Sequence, residues 1–351
     1  MGCDTARAGA TGHKSVKMRA CGQQQYSPPA INLNMCANKA DSITRVRMTS
    51  IDQDHHGQRI DNYLMSQLKG VPRSHIYRLL RSGQVRVNKG RIKPHYKLQS
   101  GDEVRIPPVR LEERTPGKVP AAVMQRLAEA TLFENKDILV INKPAGLPVH
   151  AGSGIEYGVI EALKQLHPDQ FIELVHRLDR DTSGCLLLAK NRDSLTRLHA
   201  SLRNAHGIEK HYLALVAGHW PGSNTIDVSL EKIQRSGEHM VEASLNGAHA
   251  RSHFEARKIF HHDTLGDLTL VAVQIETGRT HQIRVHASHS GHPLAGDTKY
   301  GDNSFNRQLK AFGLKRLFLH ASQLSIKLDK TFRVEAPLPD ELTAVLNKLA
   351  E

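Results

Sequence analysis

Two hydrophobic periodicities alternate along this chain. Near its N-terminal end the spacing is helical: Ile60, Tyr63, Leu64 and Leu68 recur at three- and four-residue intervals, and Gly70 with Pro72 marks a stop. A second helix is predicted over 74–80, with Ile76, Tyr77 and Leu80 inward, Arg73, Arg78 and Arg81 outward, and Gly83 closing it. Short strands are predicted around Val46 and Met48 and over 84–88 and 102–106, with a tight turn at Asn88-Lys89-Gly90.

Prolines 107, 108, 116 and 120 then interrupt regular structure, so 108–130 reads as a linker in which 121–130 has room for a short helix. Beyond it the pattern favours strands. An apolar run at 137–142 enters a loop, 143–150, stiffened by two prolines and a glycine, and a ten-residue run at 209–218 suits the centre of a sheet. Helices are predicted over 157–166 and 194–202, a meander of strands over 221–277, and a closing helix over 339–349. Thr280 as N-cap and Gly291 before Pro293 as stop predict a helix over 281–290. The fold class is α+β, divided into a tail at 1–42, a small domain at 43–107, the linker, and a large domain at 131–351.

Composition narrows the partners. Lys and Arg number 48 against 35 Asp and Glu, a formal charge of +13, which calls for a polyanion, most simply nucleic acid. The excess is concentrated: between Asn62 and Gly101 there are nine Lys or Arg residues and no acid, whereas ordinary surfaces mix the signs. Arg73, Arg78, Arg81, Arg86, Lys89, Arg91 and Lys93 are the candidate RNA-binding residues of this stretch. No run of 18 apolar residues exists, so no membrane association is expected. Four cysteines without metal-ligand spacing, three of them before residue 37, fit a reducing compartment and place the protein in the cytoplasm. Residues 1–42 lack hydrophobic periodicity and read as disordered. A transit peptide, or a true start at Met35, are the other readings of that tail.

The densest candidate chemistry is Val175-His176-Arg177-Leu178-Asp179-Arg180-Asp181-Thr182-Ser183-Gly184, a polar loop between apolar runs at 171–174 and 185–189. Two aspartates interleave with two arginines, and Thr-Ser-Gly offers hydroxyls and a backbone permissive of a tight turn. Taken alone, this also fits a solvated hairpin with surface ion pairs of little worth. An aspartate beside cations is ionised near neutrality and serves as nucleophile or base, not as proton donor.

His-Arg-Leu-Asp-x-x-Thr-Ser-Gly resembles the signature of the RluA-type pseudouridine synthases, in which the aspartate at the place of Asp179 is catalytic. Asn142-Lys143-Pro144-x-Gly146-x-x-Val149-His150 resembles the first motif of that family, which buttresses the catalytic loop; Lys143 and His150 are read as structural or RNA-facing. Lys210-x-Tyr212-x-Ala214-Leu215-Val216-x-Gly218 resembles the second, which puts Tyr212 in the active site as a catalytic base or as a stack for the target base. Thr277-Gly278-Arg279-x-His281-Gln282-Ile283-Arg284 resembles the third, whose arginine pairs with the aspartate; Arg284 takes that role, with Arg279 as the alternative. Leu178, Arg279 and Ile283 follow as substrate-binding residues, and Arg177 as a stacking group or a plug for the gap left by an extruded base. Residues 59–106 resemble the alpha-L RNA-binding module. The expected architecture is therefore that module followed by a core of mixed, mainly antiparallel sheet flanked by helices. A departure follows Leu324, where His-Pro is replaced by Lys327-Leu328-Asp329-Lys330, and this puts an edge hairpin in doubt.

The resemblance implies isomerisation of uridine in RNA by a monomer without metal or cofactor. Large-subunit ribosomal RNA is the substrate preferred, transfer RNA the alternative. Two further readings stay open. His281, His286, His289 and His292 lie close enough in sequence to suggest a metal-dependent nuclease, although no carboxylate stands at zinc-site spacing. A non-catalytic RNA-binding assembly factor is the other.

Overall fold

The computed structural model describes residues 45–68, 71–109, 119–152, 155–204, 207–235, 237–328 and 330–351, so the expected tail, 1–42, lies outside the described residues. The described residues divide into two compact units, one ending at 109 and the other beginning at 119.

The first unit comprises β1 (Arg47–Ser50), α1 (Ile60–Gln67), α2 (Arg73–Arg81), β2 (Arg86–Val87) and β3 (Glu103–Ile106), with the strands in the antiparallel order β1-β3-β2. The apolar faces read from the sequence meet here: Ile60, Tyr63, Leu64 and Leu68 of the first helical stretch pack with Ile76, Leu79 and Leu80 over Val104 and Ile106. Leu79 replaces Tyr77 on the inward face, because the half-buried Tyr77 turns its hydroxyl to the buried carboxylate of Asp61 at 2.8 Å. Asn88 and Lys89 take φ of 49° and 66°, the left-handed pair that a tight turn of this kind requires. Arg73, Arg78, Arg81, Arg86, Lys89, Arg91 and Lys93 are all exposed, and none has a carboxylate partner among the described residues.

The second unit starts earlier than residue 131. Helix α3 (Ala121–Ala128) buries Leu127, and Val119 ahead of it is buried too, both in the main core of this unit. The prolines end regular structure without ending the domain, since apolar residues beyond them still find a core. The sheet consists of β4 (Thr131–Glu134), β5 (Ile138–Lys143), β6 (Glu173–Leu174), β7 (Ser183–Ala189), β8 (Ile208–Ala217), β9 (Ser223–Asp227), β12 (Arg251–His262), β13 (Gly266–Ile275), β14 (Leu319–Lys327) and β15 (Thr331–Glu335). Its order is β4-β5-β7-β14-β8-β13-β12-β9, with β6 on β7 and β15 on β14. Pairing is antiparallel except for β7 with β14, which gives the mixed, mainly antiparallel sheet expected. Strands β10 (Leu230–Arg235) and β11 (Glu238–Ala243) leave the meander as a separate hairpin. Helices α4 (Val159–Leu166), α5 (Arg192–Arg203), α6 (Gln282–His289), α7 (Asn303–Leu309) and α8 (Asp340–Lys348) complete the unit. The doubtful edge hairpin forms, as Gln323 to Lys327 pair with Thr331 to Glu335.

Strand β7 explains its own sequence. Leu186 and Leu188 enter one core while Cys185, Leu187 and Ala189 enter another, so both faces are covered and the run is apolar throughout. Gly184 lies inside this strand, not in a turn. It faces Ala321 of β14, has φ of 108°, and a Cβ there would lie 2.2 Å from the Ala321 carbonyl oxygen. Gly184→Ala is therefore expected to lower stability by about 3 kcal/mol through overpacking and backbone strain. A denaturant midpoint equal to that of the unaltered protein would rule out this reading of the strand crossing.

Candidate active site

The polar loop 175–182 joins β6 to β7, and three ties hold it. The first is His176, whose Nε2 accepts the Leu187 N–H at 3.1 Å. Burial, with the charge of Lys210 nearby, pushes its pKa down to about 4, so it stays a neutral acceptor and has no acid–base part at neutral pH. The second is Lys143, wholly buried at the end of β5, which donates to the carbonyls of Pro144 and Leu147 at 2.8 Å each and of Arg180 at 3.0 Å. Burial draws its pKa to about 7 against the pull of Asp181 and Asp179, and the three carbonyls use all three protons of the ammonium form. The Arg180 carbonyl also accepts the Gly146 N–H, so the 144–147 loop and the polar loop share one anchor. The third tie is Ser183. The His320 Nε2 faces the Ala336 carbonyl and must donate, so Nδ1 accepts from the Ser183 hydroxyl at 2.9 Å, while Arg316 donates to that hydroxyl at 3.1 Å.

Asp179 stands at the mouth of a cleft with its side chain 29% exposed. Its Oδ2 lies 3.9 Å from Arg284 Nη1 and 4.0 Å from His281 Nε2. Arg284 is beside the aspartate, yet its close partner is another residue. Nε and Nη2 form a fork on Asp297, at 2.7 and 2.8 Å. Asp297 is buried and also accepts the N–H groups of Lys299 and Tyr300. Burial alone would raise its pKa, but Arg284 and these N–H groups outweigh it and hold the carboxyl below the ordinary range. Arg279, the alternative partner, instead donates Nε–H to the His249 carbonyl at 2.9 Å.

His281 is fixed by a chain that also sets its tautomer. The Tyr300 oxygen accepts the Val241 N–H at 3.0 Å, so its hydroxyl proton goes to His281 Nδ1 at 2.7 Å. Neutral His281 then carries its proton on Nε2, facing Asp179. Burial lowers its pKa and favours that neutral form. The residue takes φ of 54°, left-handed and strained for a histidine, and is itself the N-cap of α6 in place of Thr280. Helix α6 starts at Gln282 because Gln282 Oε1 accepts from the Thr277 hydroxyl and the Arg279 N–H, folding the chain ahead of it into a turn.

Leu178, Tyr212, Ile275, Ile283 and Leu319 form the apolar walls of the cleft, a cavity of about 70 Å³, and Arg177, Arg279, His281 and Arg284 its polar lining. Asp179 is the one carboxylate that lines it. Every residue read from the sequence as catalytic or substrate-binding thus faces one cleft. Burial and the neighbouring Asp179 push the Tyr212 phenol well above its ordinary pKa, so it stays protonated. Arg177 is exposed and has no hydrogen-bond or ion-pair partner among the described residues. The four histidines of the metal reading do not gather. His281 is taken by Tyr300, His286 by Ser252 and the Val228 carbonyl, and His292 by the Ala217 carbonyl. No cluster of three metal-binding side chains occurs among the described residues. Sequence reasoning missed Asp297 and Tyr300 as supports; they lie 13 and 16 positions after Arg284, beyond any helical or strand spacing.

Residues 137–289 match the RNA pseudouridylate synthase family, and residues 58–104 match the S4 domain. The chain is 50% identical over 305 residues to the ribosomal large subunit pseudouridine synthase C of Yersinia pestis, covering 85% of this chain and 93% of that protein. It is likewise 50% identical over 315 residues to the protein of that name from Escherichia coli strain K12, covering 87% and 97%. The chain belongs to the RluA-type pseudouridine synthases. Among solved structures, the human RNA pseudouridylate synthase domain containing 4 superposes with a TM-score of 0.53 at 28% identity, over 65% of this chain and 95% of that one. This synthase carries its S4 domain ahead of the catalytic unit in the chain, and no helix among its described residues is long and apolar enough to cross a membrane.

Two outcomes follow for the synthase. Asp297→Asn removes the close counter-charge of the buried Arg284 and frees its fork to close on Asp179, and it is expected to cost about 3 kcal/mol, with activity lost below the melting temperature; unchanged unfolding would refute the role given to the pair. Burial holds the pKa values of His176, His281, His286 and His320 below the unfolded value of about 6.5. The unfolded chain therefore takes up protons first as pH falls, and stability present above pH 6.5 is lost on acidification, for His176 down to about pH 4. Melting temperatures should drop between pH 7 and 5, and a flat profile there would contradict this.

Proposed function

We propose that this synthase converts specific uridines of large-subunit (23S) ribosomal RNA to pseudouridine, with Asp179 as the catalytic carboxylate. The observation that carries the reading is a single carboxylate in a cleft lined otherwise by apolar, neutral polar and cationic groups, partly exposed, with a buried guanidinium held beside it by a different acid. The names of the bacterial relatives supply the ribosomal substrate.

The reaction breaks the bond between ribose C1′ and base N1 and joins C1′ to C5 of the turned base. A proton leaves C5 and N1 gains one, so no redox partner is consumed, and the chemistry needs neither metal nor cofactor. Asp179 meets the sugar side of the nucleotide. Arg284 and the Nε2–H of His281 both face Oδ2, which leaves Oδ1 as the oxygen presented to the substrate. Tyr212, kept protonated, is a poor base; it serves as the wall against which the base lies, with Ile283 and Leu178 completing the seat. The C5 proton therefore goes to Asp179, the one anionic group of the cleft.

A cavity of about 70 Å³ holds only about two waters, so the base also takes up the mouth of the cleft, where the unpaired Arg177 stands. Arg177 is assigned to the space that the extruded base leaves in the RNA, or to a stack on that base. The seven exposed, unpaired cations of the S4 unit hold phosphates without reading sequence. The enzyme works in the cytoplasm as a monomer.

Pseudouridine mapping of total RNA from cells with and without the gene tests the substrate. Loss of sites in the large-subunit RNA, not restored by Asp179→Asn, is expected; loss confined to transfer RNA would move the substrate there. Full complementation by Asp179→Asn would leave a non-catalytic assembly role. Arg177→Ala should reduce turnover on a folded hairpin at least about tenfold more than on an unstructured fragment, the size of a few-kcal/mol unstacking cost. Equal losses would remove Arg177 from base extrusion.

A further inference from the structure

Beside the catalytic cleft lies a larger cavity, of about 440 Å³, within the range of small-ligand sites. Leu230 and Val241 of the β10–β11 hairpin give it apolar surface, Lys232, Ala248 and Thr280 stand around it with Glu231, whose carboxylate accepts the Ser244 hydroxyl, and it shares Gly278 and Arg279 with the catalytic cleft. Nothing in the reaction described above uses it.

The partition between the two cavities is unusual. Gly278 has no side chain, and a Cβ built there would lie 3.9 Å from Lys210 Nζ and touch nothing else. Lys210, two residues before Tyr212 on the same face of β8, is only 7% exposed, and it has no hydrogen-bond or ion-pair partner among the described residues. A nearly buried cation with no counter-charge is a costly feature that an arriving anion relieves, and burial has lowered its pKa as that cost requires. Arg279, pinned through Nε to the His249 carbonyl, supplies a second cation at the same wall.

We propose that this cavity seats the nucleotide next to the target uridine, with the phosphate that joins the two lying over Gly278 and held by Lys210 and Arg279. The proposal rests on the reading of the Asp179 cleft as the uridine seat. Two adjoining cavities divided by a bare backbone and backed by an unpaired ammonium match two consecutive nucleotides and their linkage. The apolar floor takes a base without selecting its edge, and the contact to phosphate orders the strand so that one uridine enters the cleft.

The test uses synthetic hairpins carrying a mapped uridine, in which one flanking nucleotide at a time is abasic or one flanking linkage is a neutral methylphosphonate. Wild type, Lys210→Met and Ala248→Trp are compared by kcat/KM, with Asp179→Asn as the inactive control. Ala248 is exposed, so tryptophan there fills the cavity without entering the core; Asn246→Trp, exposed on the same rim, replaces it should that variant fail to fold. At one flank, wild type is expected to lose about tenfold from either change, the scale of one stacked base or one phosphate contact. Lys210→Met should show that loss on unmodified RNA and none further from the methylphosphonate, and Ala248→Trp should be indifferent to the abasic change. Losses that multiply in both variants, or a wild type indifferent at both flanks, would overturn the adjacent-nucleotide site. Failure of the underlying reading looks different: wild type would leave the unmodified hairpin unchanged, or Asp179→Asn would turn it over.

Discussion

The buried fork between Arg284 and Asp297 is the interaction on which the active site depends. A free guanidinium next to an aspartate would close on it in a bidentate pair and cover both oxygens. Asp297 prevents that by taking Nε and Nη2, leaving Nη1 toward Asp179 at 3.9 Å. The Asp179 carboxylate thus feels a positive charge without being capped by it. The arrangement needs the planar, multi-donor head of arginine, since a lysine ammonium offers no such fork. Asp297 in turn is held by N–H groups of its own loop and by full burial, so the charge pair is rigid as well as dry.

Around that pair the sheet does the positioning. The carboxylate arrives on the loop entering β7, the phenol on β8, and the guanidinium on α6 just past the end of β13. Strands β7 and β8 flank β14, and β13 pairs with β8 on its other side. Small errors in these crossings would separate the groups, and the sequence guards against them locally. Gly184 lets β7 run against β14, Lys143 ties two loops through one carbonyl, and His176 stays neutral in order to accept a backbone N–H. Several charged or polar residues near the site are thus supports of the loop, and their altered pKa values report burial, not a part in proton transfer.

The two units divide the work by electrostatics. In the first, the seven exposed cations from Arg73 to Lys93 meet no acids among the described residues, so their field acts on whatever polyanion approaches. In the second, acids stand among the bases, as in the surface run of Asp227, His249, Arg251, His253 and Glu276, while Arg177 at the cleft has no such partner among the described residues. Long-range attraction and local chemistry thus use different residues, and changes in one need not disturb the other.

Much of this was legible in the residues alone. Helical spacing at Ile60, Tyr63 and Leu64, the apolar run of β7 and the alternation of β8 are local patterns, and local patterns determine elements. The signature and the second and third motifs also named every residue of the cleft proposed as catalytic or substrate-binding, because each is one contiguous loop, strand or helix start. Tertiary structure alone decided the partners. It showed that Arg284 leans on Asp297, that His281 is set by Tyr300, that Gly184 serves a strand crossing instead of a turn, and that the segment after the prolines belongs to the catalytic core. Each of these joins residues at separations that carry no periodic signal, and each depends on burial, which a sequence states only in outline and a packed sheet makes specific.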